Sequence, residues 1–220
     1  MKAVTLFSGG KDSFLSTMIA MEHGYDILYG ITIIPDEYSM MFHYPNSGIS
    51  KYPASLLNFE IKYIGEKTFD EYIKSINGVD AIITGAIASD YQKTRIEKIC
   101  HEEGLMLFSP LWRLDPATIL KELLLRGISA TVVSVSAEGL NESDLGKEID
   151  NGYVAHLVKV SEKTGINIVG EGGEFETFVT GFCGSAKRIS ILKSSLEWFG
   201  SYGYLNILGA KLTARKINIR

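Results

Sequence analysis

Along the first half of the chain, short apolar runs alternate with segments whose apolar residues recur every three or four positions. Ala3-Val4-Thr5-Leu6-Phe7 predicts a buried strand over 2–7, and Phe14, Leu15, Met18 and Ile19 then fall at helical spacing within 11–23. Asp26 to Ile34 reads as a second strand, stopped by Pro35-Asp36, and Ile61 to Ile64 as a third. A helix over Phe69 to Ile76 breaks at Asn77-Gly78. Ala81 to Thr84 is a further strand closed by Gly85, residues 89–103 form a charged amphipathic helix, and Leu105 to Phe108 is another short strand. Pro116 suits the first turn of a helix reaching Arg126, which Gly127 stops. Strands alternating with helices predict a parallel sheet covered on both faces.

After Gly127 the texture changes. Ser129 to Ser136 is β-branched and strand-like, and Tyr153 to Lys163 looks helical. In the tail, Ile189, Ile191 and Leu196 precede Gly200-Ser201-Tyr202-Gly203, and Leu205, Ile207, Leu208 and Leu212 follow it. That layout predicts an antiparallel hairpin. Two domains are therefore expected: an α/β domain over 1–127 and a smaller α+β domain over 128–220.

In a parallel α/β sheet, ligands bind beyond the C-terminal strand ends, where the connecting loops converge. Three loops should meet there: Ser8-Gly9-Gly10-Lys11-Asp12-Ser13, the long loop from Pro35 to Pro53, and Ser89-Asp90-Tyr91-Gln92. The first is the most informative. Two glycines between a strand and a helix N-terminus let backbone N–H groups approach an anion closely, and the helix end adds partial positive charge. It is not a Walker A loop, because Lys11 is followed by Asp12. It also lacks the third glycine of a dinucleotide fingerprint. A plain tight turn is the alternative reading.

Composition narrows the field. The chain has 220 residues, of which 45% are hydrophobic and 22% charged, enough for a sizeable core in an ordinary water-soluble protein. No apolar stretch reaches the roughly 18 residues of a membrane span, and the N-terminus shows no signal-peptide zoning. A cytoplasmic location and no membrane partner are expected. Cys100 and Cys183 are the only cysteines, far apart, which argues against a disulfide framework or a thiolate metal site. Cys100, beside Ile96 and Ile99, reads as core. The net charge of −4 disfavours a nucleic-acid partner, and Lys187-Arg188 and Arg215-Lys216 read as solvated basic spots.

The second constellation is Gly170-Glu171-Gly172-Gly173-Glu174-Phe175-Glu176-Thr177-Phe178. The paired glycines predict a bent loop feeding a strand from Phe175. An extended 174–178 would put Glu174 and Glu176 on one side and Phe175 on the other. Carboxylates so placed suit Mg²⁺, a cationic substrate, or proton transfer from an incoming amine; a solvated acidic turn is the alternative.

The S-G-G-K-D-S order at 8–13 resembles the pyrophosphatase loop (PP-loop) of enzymes that cleave ATP between its α and β phosphates. Together with Met40-Met41-Phe42-His43, the 85–97 segment, Pro110-Leu111-Trp112 and the 170–178 segment, it is similar, in the same order, to the diphthine–ammonia ligase family. A related subgroup linked to cobalamin metabolism tends to carry an Asn-containing version of the glutamate motif. The Gly-Gly form here favours the diphthamide branch, in the compact archaeal type without added C-terminal domains.

The resemblance implies a Rossmann-like, adenine nucleotide alpha hydrolase-like N-terminal fold that amidates diphthine on elongation factor 2. Ammonia and ATP would be consumed, an acyl-adenylate formed, and AMP and pyrophosphate released. It implies that Ser8, Gly9, Gly10 and Ser13 cradle phosphates, that Lys11 offsets their charge or points to solvent, and that Asp12 binds Mg²⁺ or caps the helix. His43 would wall the adenine pocket or simply pack its loop. Asp90 would line the nucleotide site, and Arg95 would reach a phosphate or the acceptor carboxylate, or lie on the helix surface. Glu171, Glu174 and Glu176 would serve the acceptor side, binding the trimethylammonium of diphthine or deprotonating ammonium. Free ammonia or a separate subunit would supply nitrogen, and the oligomeric state is open, a homodimer included. The rival readings are a PP-loop amidation of a small acid such as a cobalamin precursor, a tRNA-modifying enzyme, and a non-catalytic nucleotide-binding module.

Overall fold

The computed structural model describes residues 1–35 and 46–215. The chain divides into two compact units, Met1–Asp115 and Pro116–Arg220. The division falls at Pro116, ahead of the change of texture at Gly127.

In the first unit, β1 (Lys2–Leu6), β2 (Asp26–Ile34), β3 (Ile61–Gly65), β4 (Ala81–Ile83) and β5 (Met106–Phe108) form one sheet, in the order β3-β2-β1-β4-β5. Every pairing is parallel. Alternate side chains supply its two faces. Val4, Ile31 and Ile82 pack with Phe69 and Ile73 of helix α3 (Phe69–Lys74) and with Ile96, Ile99 and Cys100 of helix α4 (Asp90–Glu102). On the other face Ala3, Ala81 and Ile83 meet Ala20 of helix α1 (Lys11–Glu22), the alanines giving that helix room to lie close. The α/β expectation holds.

The order has a consequence for function. The chain steps outward from β1 to β2 and β3, then returns to the other side of β1 with β4. The winding direction therefore reverses between β1 and β4, the place where open α/β sheets bind ligands.

Two local readings need correction. The stretch from Pro35 to Pro53 is not loop throughout: residues 47–49 form a 3₁₀ turn and Lys51–Leu56 form a short helix, α2. Pro53 is tolerated there because N–H groups of a first helical turn have no intrahelical partner in any case. In α1 the fully buried positions include Ser16 and Thr17, while Met18 and Ile19 are only half-buried. The hydroxyls are buried because they find partners: Thr17 donates to Ser13 O at 2.7 Å and sits 2.8 Å from the Thr5 hydroxyl.

The second unit contains α5 (Pro116–Leu125), β6 (Ser129–Val135), α6 (Asn151–Thr164), β7 (Phe175–Gly181), β8 (Lys187–Trp198) and β9 (Gly203–Ala214). Its sheet is antiparallel, ordered β7-β6-β9-β8, and β8 and β9 form the expected hairpin, closing at Trp198 opposite Gly203. Helix α6 starts where Asp150 accepts a hydrogen bond from Tyr153 N at 2.7 Å and stops at Gly165, with φ of 76°. Among the described residues, no helix is long and apolar enough to cross a membrane.

Candidate active site

The turn after β1 is built around Gly9, whose φ of +84° is a conformation that side chains resist. A side chain would also be crowded: a Cβ on Gly9 would lie 3.2 Å from Pro53 Cγ and 3.3 Å from Ser50 Cα. Gly10, extended, is the N-cap residue of α1 and uses no side-chain cap. Ser8 and Ser13 close the turn from its two ends. Their hydroxyls are 3.2 Å apart, Gly10 N donates to Ser8 Oγ at 3.2 Å, and Ser13 Oγ donates to Gly10 O at 3.0 Å. The sequence-predicted residues 8–13 are thus one preformed device at the open end of β1.

Lys11 does not point to solvent. Its side chain is only 2% exposed, and Nζ lies 2.9 Å from Asp12 Oδ2. Asp12 stands in the first turn of α1, where the helix end favours a negative charge. Its other oxygen, Oδ1, is buried with no hydrogen-bond partner. The carboxylate faces Lys11 and does not cap the helix.

The loop after β4 comes up against this turn. Gly85 has no room for a Cβ, which would meet Asp12 C and Ser13 N at 2.8 Å. Ala86 N donates to Thr84 Oγ1 at 3.3 Å, and Arg113 N to Ile87 O at 2.7 Å, so the segment around Pro110-Leu111-Trp112 braces the loop. Leu111 is buried, and Trp112 has Lys93 Nζ 4.7 Å and the Arg113 guanidinium 5.5 Å from its ring centre.

Asp90 opens α4, exposed, with Arg113 Nη2 at 3.5 Å. Arg95 is committed elsewhere. Its guanidinium donates twice to Asp70 Oδ1, at 3.0 and 2.7 Å, and lies 5.5 Å from the centre of the Phe69 ring. That places it as a bridge between α4 and α3. His43 and Met40-Met41-Phe42 lie outside the described residues.

The glutamate segment belongs to the second unit. Glu174 curls back into its own loop: Oε1 accepts from Asn167 N at 2.9 Å, and Oε2 is buried without a partner. Ser136 N donates to Glu174 O at 2.9 Å, and Ser136 Oγ to Gly173 O at 2.5 Å, which ties the loop to the end of β6. Gly170 and Gly173 take φ of +78° and +80°, as the bend requires. Glu176 is exposed in β7 beside buried Phe175, and Glu171 is half-buried. Glu174 and Glu176 therefore do not form the simple pair on one strand face that an extended 174–178 predicts, because β7 begins at Phe175.

Cys100 is buried and its thiol is pushed up to about 11 by that burial, with Glu97 adding to the effect; it is core, as the sequence suggested. Among the described residues there is no group of three or more His, Cys, Asp and Glu arranged to hold a metal. Sequence reasoning held Ser50 only within the 35–53 loop and Gly85 only within the 85–97 segment, and gave neither these nor Thr32 a part in shaping the turn. The available signal was a hydroxyl residue inside an otherwise apolar strand, at Thr32, and a glycine closing another.

Two family descriptions match the chain, the diphthamide synthase N-terminal domain over residues 1–107 and the diphthamide synthase C-terminal domain over 115–213. A zebrafish protein named diphthine–ammonia ligase is 31% identical over 81% of this chain and 81% of its own length. The human protein of the same name is 29% identical over 94% of this chain and 91% of its own length. A fission yeast relative of that name is 30% identical over 81% of this chain but only 34% of its own length. With both family domains matched in order along nearly all its residues, the chain belongs to the diphthamide synthase family of diphthine–ammonia ligases, enzymes that form carbon–nitrogen bonds.

Proposed function

We propose that the protein amidates the carboxylate of diphthine on elongation factor 2, using ATP and ammonia and releasing AMP and pyrophosphate. The observation that carries this reading is the turn at 8–13. It joins a parallel strand to a helix N-terminus at the reversal point of the sheet, with Gly9 at a φ of +84° against Pro53 and Ser50 and Gly10 at the N-cap of α1.

The chemistry follows from the acceptor. A carboxylate is anionic and resonance-stabilised, so ammonia does not attack it. Transfer of AMP to one carboxylate oxygen gives an acyl-adenylate, and pyrophosphate leaves. Ammonia then adds to the activated carbonyl, AMP departs, and the nitrogen loses a proton as the amide forms. The work of the turn is to hold the departing pyrophosphate through N–H and hydroxyl donors, with the buried Lys11 charge beneath it. Asp12 fits a hard cation through the partnerless Oδ1, the remaining ligands being phosphate oxygens and water. Bound Mg²⁺ would neutralise phosphate charge there. Glu171 and Glu176 remain the candidates to meet the acceptor's quaternary cation or to take the ammonium proton, with Glu174 holding their loop.

The test is a mass-resolved assay of diphthine-bearing elongation factor 2 with ATP and ammonium, scored for AMP. Conversion to diphthamide with one AMP per amide is expected. Amidation of a small free acid with the protein substrate untouched would overturn the assignment.

A further inference from the structure

We propose that Ser50, acting through Thr32, is a positioning residue for the nucleotide-binding turn, an inference that rests on the nucleotide reading above. The last carbonyl before the turn is that of Phe7. Thr32 Oγ1 donates to it at 2.5 Å, and since a carbonyl only accepts, the threonine proton is committed. Ser50 Oγ, 2.7 Å from Thr32 Oγ1, must therefore donate to Thr32. Tyr63 Oη, 3.4 Å from Ser50 Oγ, is a more distant acceptor for the same serine proton, and it also accepts from Lys51 N at 3.2 Å. A chain of hydrogen bonds thus runs from Ser50 at the start of α2 through Thr32 of β2 to the mouth of β1.

Thr32 is 2% exposed and Ser50 fully buried. Burying such a relay contributes little net stability, because each bond replaces one made to water, whereas its geometry is strict. Its geometric output is the seat of Ser50 and Pro53 on Gly9. The Ser50 Cα and the Pro53 ring form the wall at 3.3 and 3.2 Å from the point where a Gly9 Cβ would be. On the other flank Thr5 and Thr17 join β1 to α1. The turn is thus flanked by packing on both sides, with its backbone N–H groups set before any ligand arrives. Loosening the Ser50 side would let the turn relax and force a nucleotide to order it on binding.

The experiment titrates ATP with magnesium onto the full-length chain calorimetrically, for wild type, Ser50→Ala, Thr32→Val and Thr32→Ser, each well below its melting temperature. Ser50→Ala and Thr32→Val should weaken ATP binding about three- to tenfold, the range set by one lost hydrogen bond. Thr32→Ser, which keeps the hydroxyl, should bind like wild type. In AMP release the first two should raise KM for ATP more than they lower kcat. Wild type that binds no ATP would remove the nucleotide reading and this inference with it. Wild type that binds, with Thr32→Val melting lower yet binding equally, would make the relay structural only and overturn the inference alone.

Discussion

Gly85 stands against the peptide joining Asp12 to Ser13, so that a Cβ on it would come within 2.8 Å of both Asp12 C and Ser13 N. The contact joins the two loops that flank the reversal of the sheet. It explains why a glycine closes β4. The obstacle is backbone at the start of α1, which cannot swing aside as a side-chain tip would. Gly85→Ala should push α1 off its seat, at a cost of about 1–3 kcal/mol of stability. It should also lower ATP-dependent AMP release more than Gly65→Ala does, since a Cβ on Gly65 meets nothing closer than Thr68 Oγ1 at 3.8 Å. Equal activity in the two variants, measured with their melting temperatures, would contradict this account.

Lys11 and Asp12 should behave as a unit. Asp12→Ala takes the carboxylate away from a lysine nitrogen 2.9 Å distant, on a side chain only 2% exposed. Losing one partner of a buried pair costs more than losing both; with Asp12 itself 27% exposed, about 1–3 kcal/mol is a fair expectation. The double variant Lys11→Ala/Asp12→Ala should recover part of that stability in urea titrations while still releasing no AMP. A double variant destabilised by as much as the sum of the singles, or more, would refute the coupling.

Glu174 offers a separation of brace from charge. Its Oε1 accepts the Asn167 N–H, and a glutamine carbonyl oxygen can do the same. Glu174→Gln should preserve slow hydrogen exchange at the Asn167 amide, whereas Glu174→Ala should lose about 1–3 kcal/mol of protection there. Rapid exchange in both variants would mean that the charge, not the acceptor atom, holds the loop.

The two thiols should report opposite environments. With its value near 11, Cys100 would be thiolate in roughly one molecule per thousand at pH 8, and it is buried besides. Cys183 is exposed. A thiol reagent at pH 8 should modify one cysteine per native chain, located by peptide mapping at Cys183, and two once the chain is unfolded.

Where apolar runs ended in strong punctuation, the fold could be read directly. Asp26–Ile34 was legible to the residue because Pro35 ends it, and the hairpin was legible from its Gly-Ser-Tyr-Gly centre. Periodicity misled at α1, where a helix lying on alanines buries Ser16 and Thr17 in preference to Met18 and Ile19. Helix α2 is short, begins around a proline and owes its existence to packing of Pro53, Ala54 and Leu56, which no local rule announces. In the site, the turn chemistry was local and visible. The partnerships of Arg95 with Asp70 and of Glu174 with Asn167 were not, since each depends on where a side chain finds a mate after folding.

The hydroxyls of Ser8 and Ser13 already satisfy one another, and Gly10 N already leans on Ser8. An arriving polyphosphate consequently trades contacts instead of simply adding them, and must give back as many bonds as it displaces. Lone orthophosphate, with few oxygens to offer, gains little from that exchange, while a longer chain of phosphates reaches enough donors to come out ahead. On the nucleotide reading, that exchange would favour a nucleoside triphosphate over orthophosphate at this turn.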